Sequence, residues 1–277
     1  MKIFFGCLSA DLKRACLSTR FIVSVFFMVG VFCFSAMQSI SMRMPWITTY
    51  AEGTNLTPDS FNVILLLPIS ILPGAILFCE DWDTKYYRFL CSRSSIRKYS
   101  ISKIITCIVS TILISFIGRI IFFILITMIT PLETSANTIN SQIVNLKQGI
   151  GVFPNLYLRS ANLEEINIFT FFLLTAFTFS LLCAFVGLLS LIISIWTNNL
   201  FIVVGAPVVI YYILRLVSNF FGLPYKFNPI YLGIAHLNCD LNGIGVIVLF
   251  TSIYFIILCA ISGAIFSRSI RRKIQNE

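Results

Sequence analysis

Six apolar runs, each close to the length of a membrane crossing, alternate with shorter polar segments along the chain. They cover residues 21–40, 61–78, 104–130, 168–195, 200–218 and 244–266. About 20 apolar residues in helical conformation span the hydrocarbon of a bilayer, so each run predicts a transmembrane helix. Ahead of the first run, Phe4, Phe5, Leu8, Leu12, Ala15 and Cys16 recur at helical spacing, with Lys13 and Arg14 on another face. This pattern predicts an amphipathic helix over residues 1–20 that lies in the membrane interface. A secretory signal peptide is the competing reading of this start. The run at 21–40 is too long for a signal core and no small-residue cleavage site follows it, so it is taken as the first span. Pro68 and Pro73 in the second run predict a kink. No internal repeat or soluble domain interrupts the pattern, and residues 1–277 are expected to form one all-α membrane domain.

Composition strengthens this reading. The chain is 58% hydrophobic and only 11% charged, with a mean hydropathy of +0.93. Soluble domains carry about 25% charged residues. A soluble enzyme, a nucleic-acid binder and a secreted disulfide scaffold are therefore excluded. The formal charge of +9 does not argue for nucleic acid, because the basic residues gather at the ends of apolar runs.

Six spans put both termini on one side, and charge selects the side. Fourteen basic residues lie at 2–20, 85–103 and 268–273, whereas Arg43, Lys147, Arg159 and Lys226 are the four on the opposite side. The positive-inside rule then predicts both termini in the cytoplasm. Trp46, Trp82 and Trp196 fall just beyond span ends, as interfacial tryptophans do. The nine cysteines are scattered over spans and flanks with no C-x-x-C pair, and read as small packing residues.

Enzyme chemistry finds little support. His236 is the only histidine and lies in an outer loop, which leaves no H-E-x-x-H metal site. The pair Glu164-Glu165 has no nearby Arg or His to complete an acid–base site and suits a solvated helix start. No phosphate-binding P-loop occurs, so any ATP-driven work requires a partner ATPase. The acidic residues all lie outside the apolar runs or at their margins, which weighs against an ion-gradient carrier.

The most informative segment is 80–103, predicted to be a cytosolic loop. Glu80, Asp81 and Asp83 precede a basic tail, and Trp82, Tyr86 and Phe89 form an aromatic stripe at i, i+4 and i+7. One short amphipathic helix of this kind places aromatic anchors in a groove on a cytosolic protein. The alternative is a solvated loop whose basic half only sets topology. Arg119 lies deep in the third run and either lines a substrate path or contacts another helix. Arg215 lies near the outer end of the fifth run, where it can snorkel.

The acidic start Glu80-Asp81, Arg88, and the stretch from Arg93-Ser94-Ser95-Ile96 to Tyr99-Ser100-Ile101-Ser102-Lys103 resemble the cytosolic loop of the ABC-2 family of ATP-binding-cassette exporters. Phe227-Asn228-Pro229-Ile230-Tyr231-Leu232 is similar, more weakly, to that family's Asn/Ser-Pro segment after the fifth span. The resemblance extends over nearly the whole chain as architecture: an elbow helix, six spans and both termini inside, in a type V exporter-like arrangement. It implies a coupling loop at 80–103, a re-entrant segment at 219–243 and an extracellular segment at 131–167, the last longer than in the shortest family members.

Functionally, the resemblance implies the permease subunit of an exporter, paired with a second membrane subunit that is identical or a paralogue. A separate cytosolic ATPase, carrying ATP and Mg, would dock on Glu80, Asp81, Trp82, Asp83, Tyr86, Arg88 and Phe89. The chain itself would bind no cofactor and catalyse no reaction. The expected cargo is hydrophobic or amphipathic, a peptide toxin, bacteriocin or antimicrobial peptide first. An ion-gradient-driven carrier and a non-transporting immunity or sensor protein are the alternatives.

Overall fold

The computed structural model describes residues 2–42, 49–50, 53–54, 61–93, 95–129, 168–221 and 244–276. These residues are helical, with short turns between helices. In chain order the helices are α1 (Lys2–Cys16), α2 (Thr19–Ser35), α3 (Met37–Ser41), α4 (Phe61–Asp83), α5 (Tyr86–Arg93), α6 (Ile96–Ile129), α7 (Ile168–Ile193), α8 (Leu200–Phe220) and α9 (Ile244–Asn276).

Among the described residues four helices are long and apolar enough to cross a membrane: Asn62–Asp83 of α4, α6, Leu173–Ile193 of α7 and Val248–Gln275 of α9. A fifth crossing exists if α1 and α2, bent by 48° at their junction, are counted together. The first expected run differs from its prediction. It divides after Ser35, leaving α2 at 17 residues and a short α3. At about 1.5 Å per residue, α2 alone reaches less than the hydrocarbon thickness. The break falls where Ala36 is fully buried and the chain returns over it, close enough that a Cβ on Gly53 would meet Ala36 Cβ at 3.1 Å. In α8 the apolar stretch Leu200–Leu214 is likewise shorter than a full span. By contrast, α4 continues through Pro68 and Pro73 as one helix.

Helix directions follow from which ends touch. Lys103 at the start of α6 meets Asp11 of α1 and Asp81 at the end of α4. Lys273 near the end of α9 donates to the Ile195 carbonyl beyond α7, and Asn198 before α8 donates to Asp83. All these ends share one face of the bundle, here termed the basic end. At the other face, Asn62 Nδ2 donates to Ser35 Oγ at 2.7 Å, and Tyr50 stacks on Phe122 with centroids 5.6 Å apart.

The bundle is sealed by small residues, as expected where lipid removes the hydrophobic drive for helix association. A Cβ on Gly74 of α4 would stand 3.2 Å from Cys107 Cα and 3.0 Å from Ser110 Oγ on α6. One on Gly187 of α7 would stand 3.0 Å from Thr111 Cγ2. The hydroxyls in this seam return to their own helices, Ser110 and Thr111 donating to Cys107 O and Ser115 to Thr111 O. Bonds of this kind let them tolerate an apolar setting.

Replacing Gly187 with Leu is expected to lower the thermal unfolding midpoint in detergent, at a cost of about 1–3 kcal/mol from overpacking. Gly205→Ala, with nothing within 4 Å of the added carbon, should leave the midpoint unchanged.

Candidate functional site at the basic end

The basic end is built around Lys103. Its side chain is almost wholly buried, with Nζ 2.8 Å from Asp11 Oδ1 and 2.5 Å from Asp81 Oδ2. Ser102 Oγ donates to the second Asp11 oxygen at 2.8 Å. Arg14 Nη1 donates to Asp81 Oδ1 at 2.9 Å, while its other nitrogen lies 3.8 Å from Glu80 Oε2. Arg20 closes the chain with an ion pair to Glu80. The inner group, Asp11, Lys103, Asp81 and Arg14, balances two negative against two positive charges.

Burying such groups costs several kcal/mol per ion unless each is paired and hydrogen-bonded. The paired arrangement therefore holds α1, α4 and α6 in one register. It gives α1 an inward face made of Cys7, Asp11 and Ala15, with Ala15 and Asp11 buried and Phe5 exposed. The apolar face expected to enter the interface is thus only part of what this helix does. Its other face carries an acid into the bundle.

The segment from Glu80 to Phe89 is not one helix. The structure corrects that expectation: α4 ends at Asp83 and α5 starts at Tyr86. Between them Lys85 adopts φ 56°, a left-handed conformation that terminates helices and seldom suits a side chain larger than glycine. Thr84 N donates to Glu80 O and Lys85 N to Trp82 O, which caps the last turn. The turn divides the predicted aromatic stripe.

Trp82 stays with the bundle. It stacks on Tyr87 at 4.2 Å and 9°, lies 6.0 Å from Phe78, and has Lys273 Nζ 4.1 Å from its ring. Tyr86 and Phe89 are exposed and stack on each other at 6.0 Å. Arg14 Cζ lies 5.7 Å from the Tyr86 ring, within cation–π range. Arg88 is exposed, and its Nε donates to Tyr87 Oη at 3.1 Å. Of the seven expected docking residues, Asp81 is thus sealed inside and Trp82 is part of the packing. Glu80 and Asp83 are held by Arg14, Arg20 and Asn198. Tyr86, Arg88 and Phe89 form the outward face. Cys91 on the same short helix has its thiol pKa pushed up by burial.

Arg119 is buried to 3% exposure far from this end. Nη1 donates to Thr175 O of α7 at 2.9 Å, and the guanidinium lies 4.4 Å from the Phe179 ring and 5.8 Å from Phe32. This is the interhelical alternative, joining α2, α6 and α7. The side chain of Arg215 lies outside the described residues, as do the expected segment 131–167 and all but residues 219–221 of the expected segment 219–243, with Trp46, Glu164, Glu165, Asn228, Pro229, His236 and Cys239. Among the described residues no group of three or more His, Cys, Asp or Glu side chains is placed to hold a metal. No protein family, curated protein or solved structure was found to match the chain.

Sequence reading missed the Asp11–Lys103–Asp81 cluster. One signal was present, since Asp11 is the only acid before Glu52 and shares a helical face with Cys7 and Ala15.

Asp81→Asn leaves the buried Lys103 ammonium short of a counter-charge and is expected to destabilise by about 3–5 kcal/mol, read as a fall in the unfolding midpoint. Glu80→Gln, at a position more than one-third exposed, should cost under about 1 kcal/mol.

Proposed function

We propose that this chain is the permease subunit of an ATP-driven exporter of the ABC-2 type. In this reading α2 and α8 join the four long apolar helices to make six spans, with α1 as the elbow and both termini in the cytoplasm of a bacterium. Two such membrane subunits pair, and each receives a cytosolic ATPase that binds ATP and Mg. The cargo is hydrophobic or amphipathic, with a peptide toxin, bacteriocin or antimicrobial peptide as the first candidate.

The observation that carries the reading is α5. A helix of eight residues extends from the basic end and turns the half-exposed, stacked pair Tyr86 and Phe89 outward, the kind of aromatic anchor that a groove on a docking protein receives. Its mounting is stiff. Tyr87, buried at 3% exposure, is clamped by Trp82, and α4 behind it is tied through Asp81 to α1 and α6. A push on α5 by an ATPase would therefore reach α4 and α6 with little loss in a flexible loop. Among the described residues Arg119 bonds the Thr175 carbonyl and faces two aromatic rings, and the buried acids Asp11 and Asp81 pair with Lys103 and Arg14. That arrangement gives a gradient-driven carrier no unpaired acid among these groups.

The test is affinity purification of the tagged chain from its own cells in mild detergent, with mass spectrometry of what accompanies it. A P-loop ATPase should co-purify, and the double variant Tyr86→Ser, Phe89→Ser should lose it while keeping its unfolding midpoint. Trp82→Ala is unsuitable alone, because it removes packing as well as any docking contact. A chain that purifies folded and repeatedly without an ATPase contradicts the reading.

A further inference from the structure

An apolar groove of about 560 Å³ runs along the outside of the bundle between α6 and α9. One wall is Ile101, Ile104, Ile108 and Ile112 of α6. The other is a low ridge of α9, in which Ala260, Gly263, Ala264 and Ser267 keep the side chains short. Leu181 and Ala184 of α7 and the fully buried Phe255 form the floor. At the end nearest the basic face, Ser100 Oγ and Ser267 Oγ meet at 3.1 Å and pin the two walls together.

Both walls continue into cations. On α6, Arg97 and Lys98 precede Ile101 by four and three positions, so they extend the same helical stripe. On α9, Arg268 follows Ala264 by four positions and Arg271 follows Ser267 by four. All four are exposed, and none has a carboxylate within ion-pair distance among the described residues. At the same end Arg14, Arg20 and Lys103 are engaged by acids, whereas Lys13, Lys85 and Arg272 are exposed like the four at the groove. Four cations with no acid in ion-pair reach among the described residues thus flank the end of the groove.

We propose that the groove between α6 and α9 is a binding site for an anionic phospholipid, with an acyl chain along the isoleucine wall and the phosphate at Arg97, Lys98, Arg268 and Arg271. An apolar slot at membrane depth ending in a polar, cationic mouth matches the amphiphile part for part. Basic pockets between transmembrane helices recognise anionic headgroups by the same electrostatics. The Ser100 and Ser267 hydroxyls supply neutral hydrogen-bonding groups at the boundary between chain and headgroup. A lipid seated there adds contact between α6 and α9, which already touch at Gly263 and Ile104 and at the serine pair. This site stands independently of the transport reading and needs only that the helices sit in a bilayer.

The test uses the full-length chain, delipidated in mild detergent and titrated with palmitoyl-oleoyl phosphatidylglycerol or the corresponding phosphatidylcholine, bound lipid being counted by native mass spectrometry. The wild type should retain phosphatidylglycerol in preference to phosphatidylcholine. The pair Arg268→Gln, Arg271→Gln and, separately, Arg97→Gln, Lys98→Gln should each weaken phosphatidylglycerol roughly tenfold or more and abolish the preference. Ala264→Phe, which fills the groove and leaves the charges, should weaken both lipids. Size-exclusion profile and unfolding midpoint establish that each variant is folded, and the two charge pairs on different helices serve as independent readouts. Equal retention of the two lipids by the wild type would overturn the proposal. So would unchanged phosphatidylglycerol binding in the folded charge variants and in Ala264→Phe. Displacement by inorganic phosphate alone at the same occupancy would also overturn it, by showing a site for the anion without the chain.

Discussion

A single buried ammonium, Lys103, decides how the basic end of this protein is put together. It stands between two carboxylates that come from the first helix and the fourth, Asp11 and Asp81, and it belongs to a third helix, α6. None of the three can move away without stranding a charge in a medium that solvates it poorly. The cost of separating them is a desolvation cost, which is why the arrangement constrains geometry more than it adds net stability. Everything built on this end inherits that constraint: the seat of α1, the angle at which α4 delivers its last turn, and the position from which α5 departs.

From the cluster outward, the structure passes from fixed to available. Asp81 is sealed, and Trp82 next to it is sandwiched by Tyr87 and Lys273. The left-handed Lys85 then turns the chain so that Tyr86 and Phe89 face away from the bundle. A short run of sequence thus holds both the anchor and the surface of one lever. In the membrane body the logic is different. There close approach of backbones at Gly74, Cys107, Thr111 and Gly187 replaces charge as the means of fixing helix against helix. The outward face of α9 exposes Ile253, Ile256, Ile257, Ile261 and Ile265, and the groove lies between this helix and α6.

The helical character and most helix positions were legible in the sequence because length and hydropathy act locally. The four long helices lie on their apolar runs, but α4, α6 and α9 extend about 5, 8 and 10 residues past them into polar flanks, where hydropathy gives no signal. The break after Ser35 was not legible, since it depends on Gly53 and Phe122, residues distant in sequence that pack over Ala36 and Phe32. The aromatic stripe Trp82, Tyr86 and Phe89 was recognisable by its spacing, but of its two readings the single helix fails at Lys85, because a left-handed lysine carries no strong local signature. The partnership of Asp11 with Lys103 spans 92 positions, and no periodicity encodes a contact of that range. Arg119 announced itself as a deep charge, yet its partners, a carbonyl and two aromatic rings, are types that no charge pattern reveals.

The central claim is that Asp81 and Lys103 are energetically coupled and set the geometry of the basic end. A double-mutant cycle in the folded, detergent-solubilised chain measures this directly, comparing Asp81→Asn, Lys103→Met and the pair by unfolding free energy. The account predicts strong non-additivity, with the double variant far less damaged than the sum of the singles, by about 2 kcal/mol or more. Additive effects within about 0.5 kcal/mol would contradict it, because the two charges would then contribute independently and could not be what holds α4 and α6 in register.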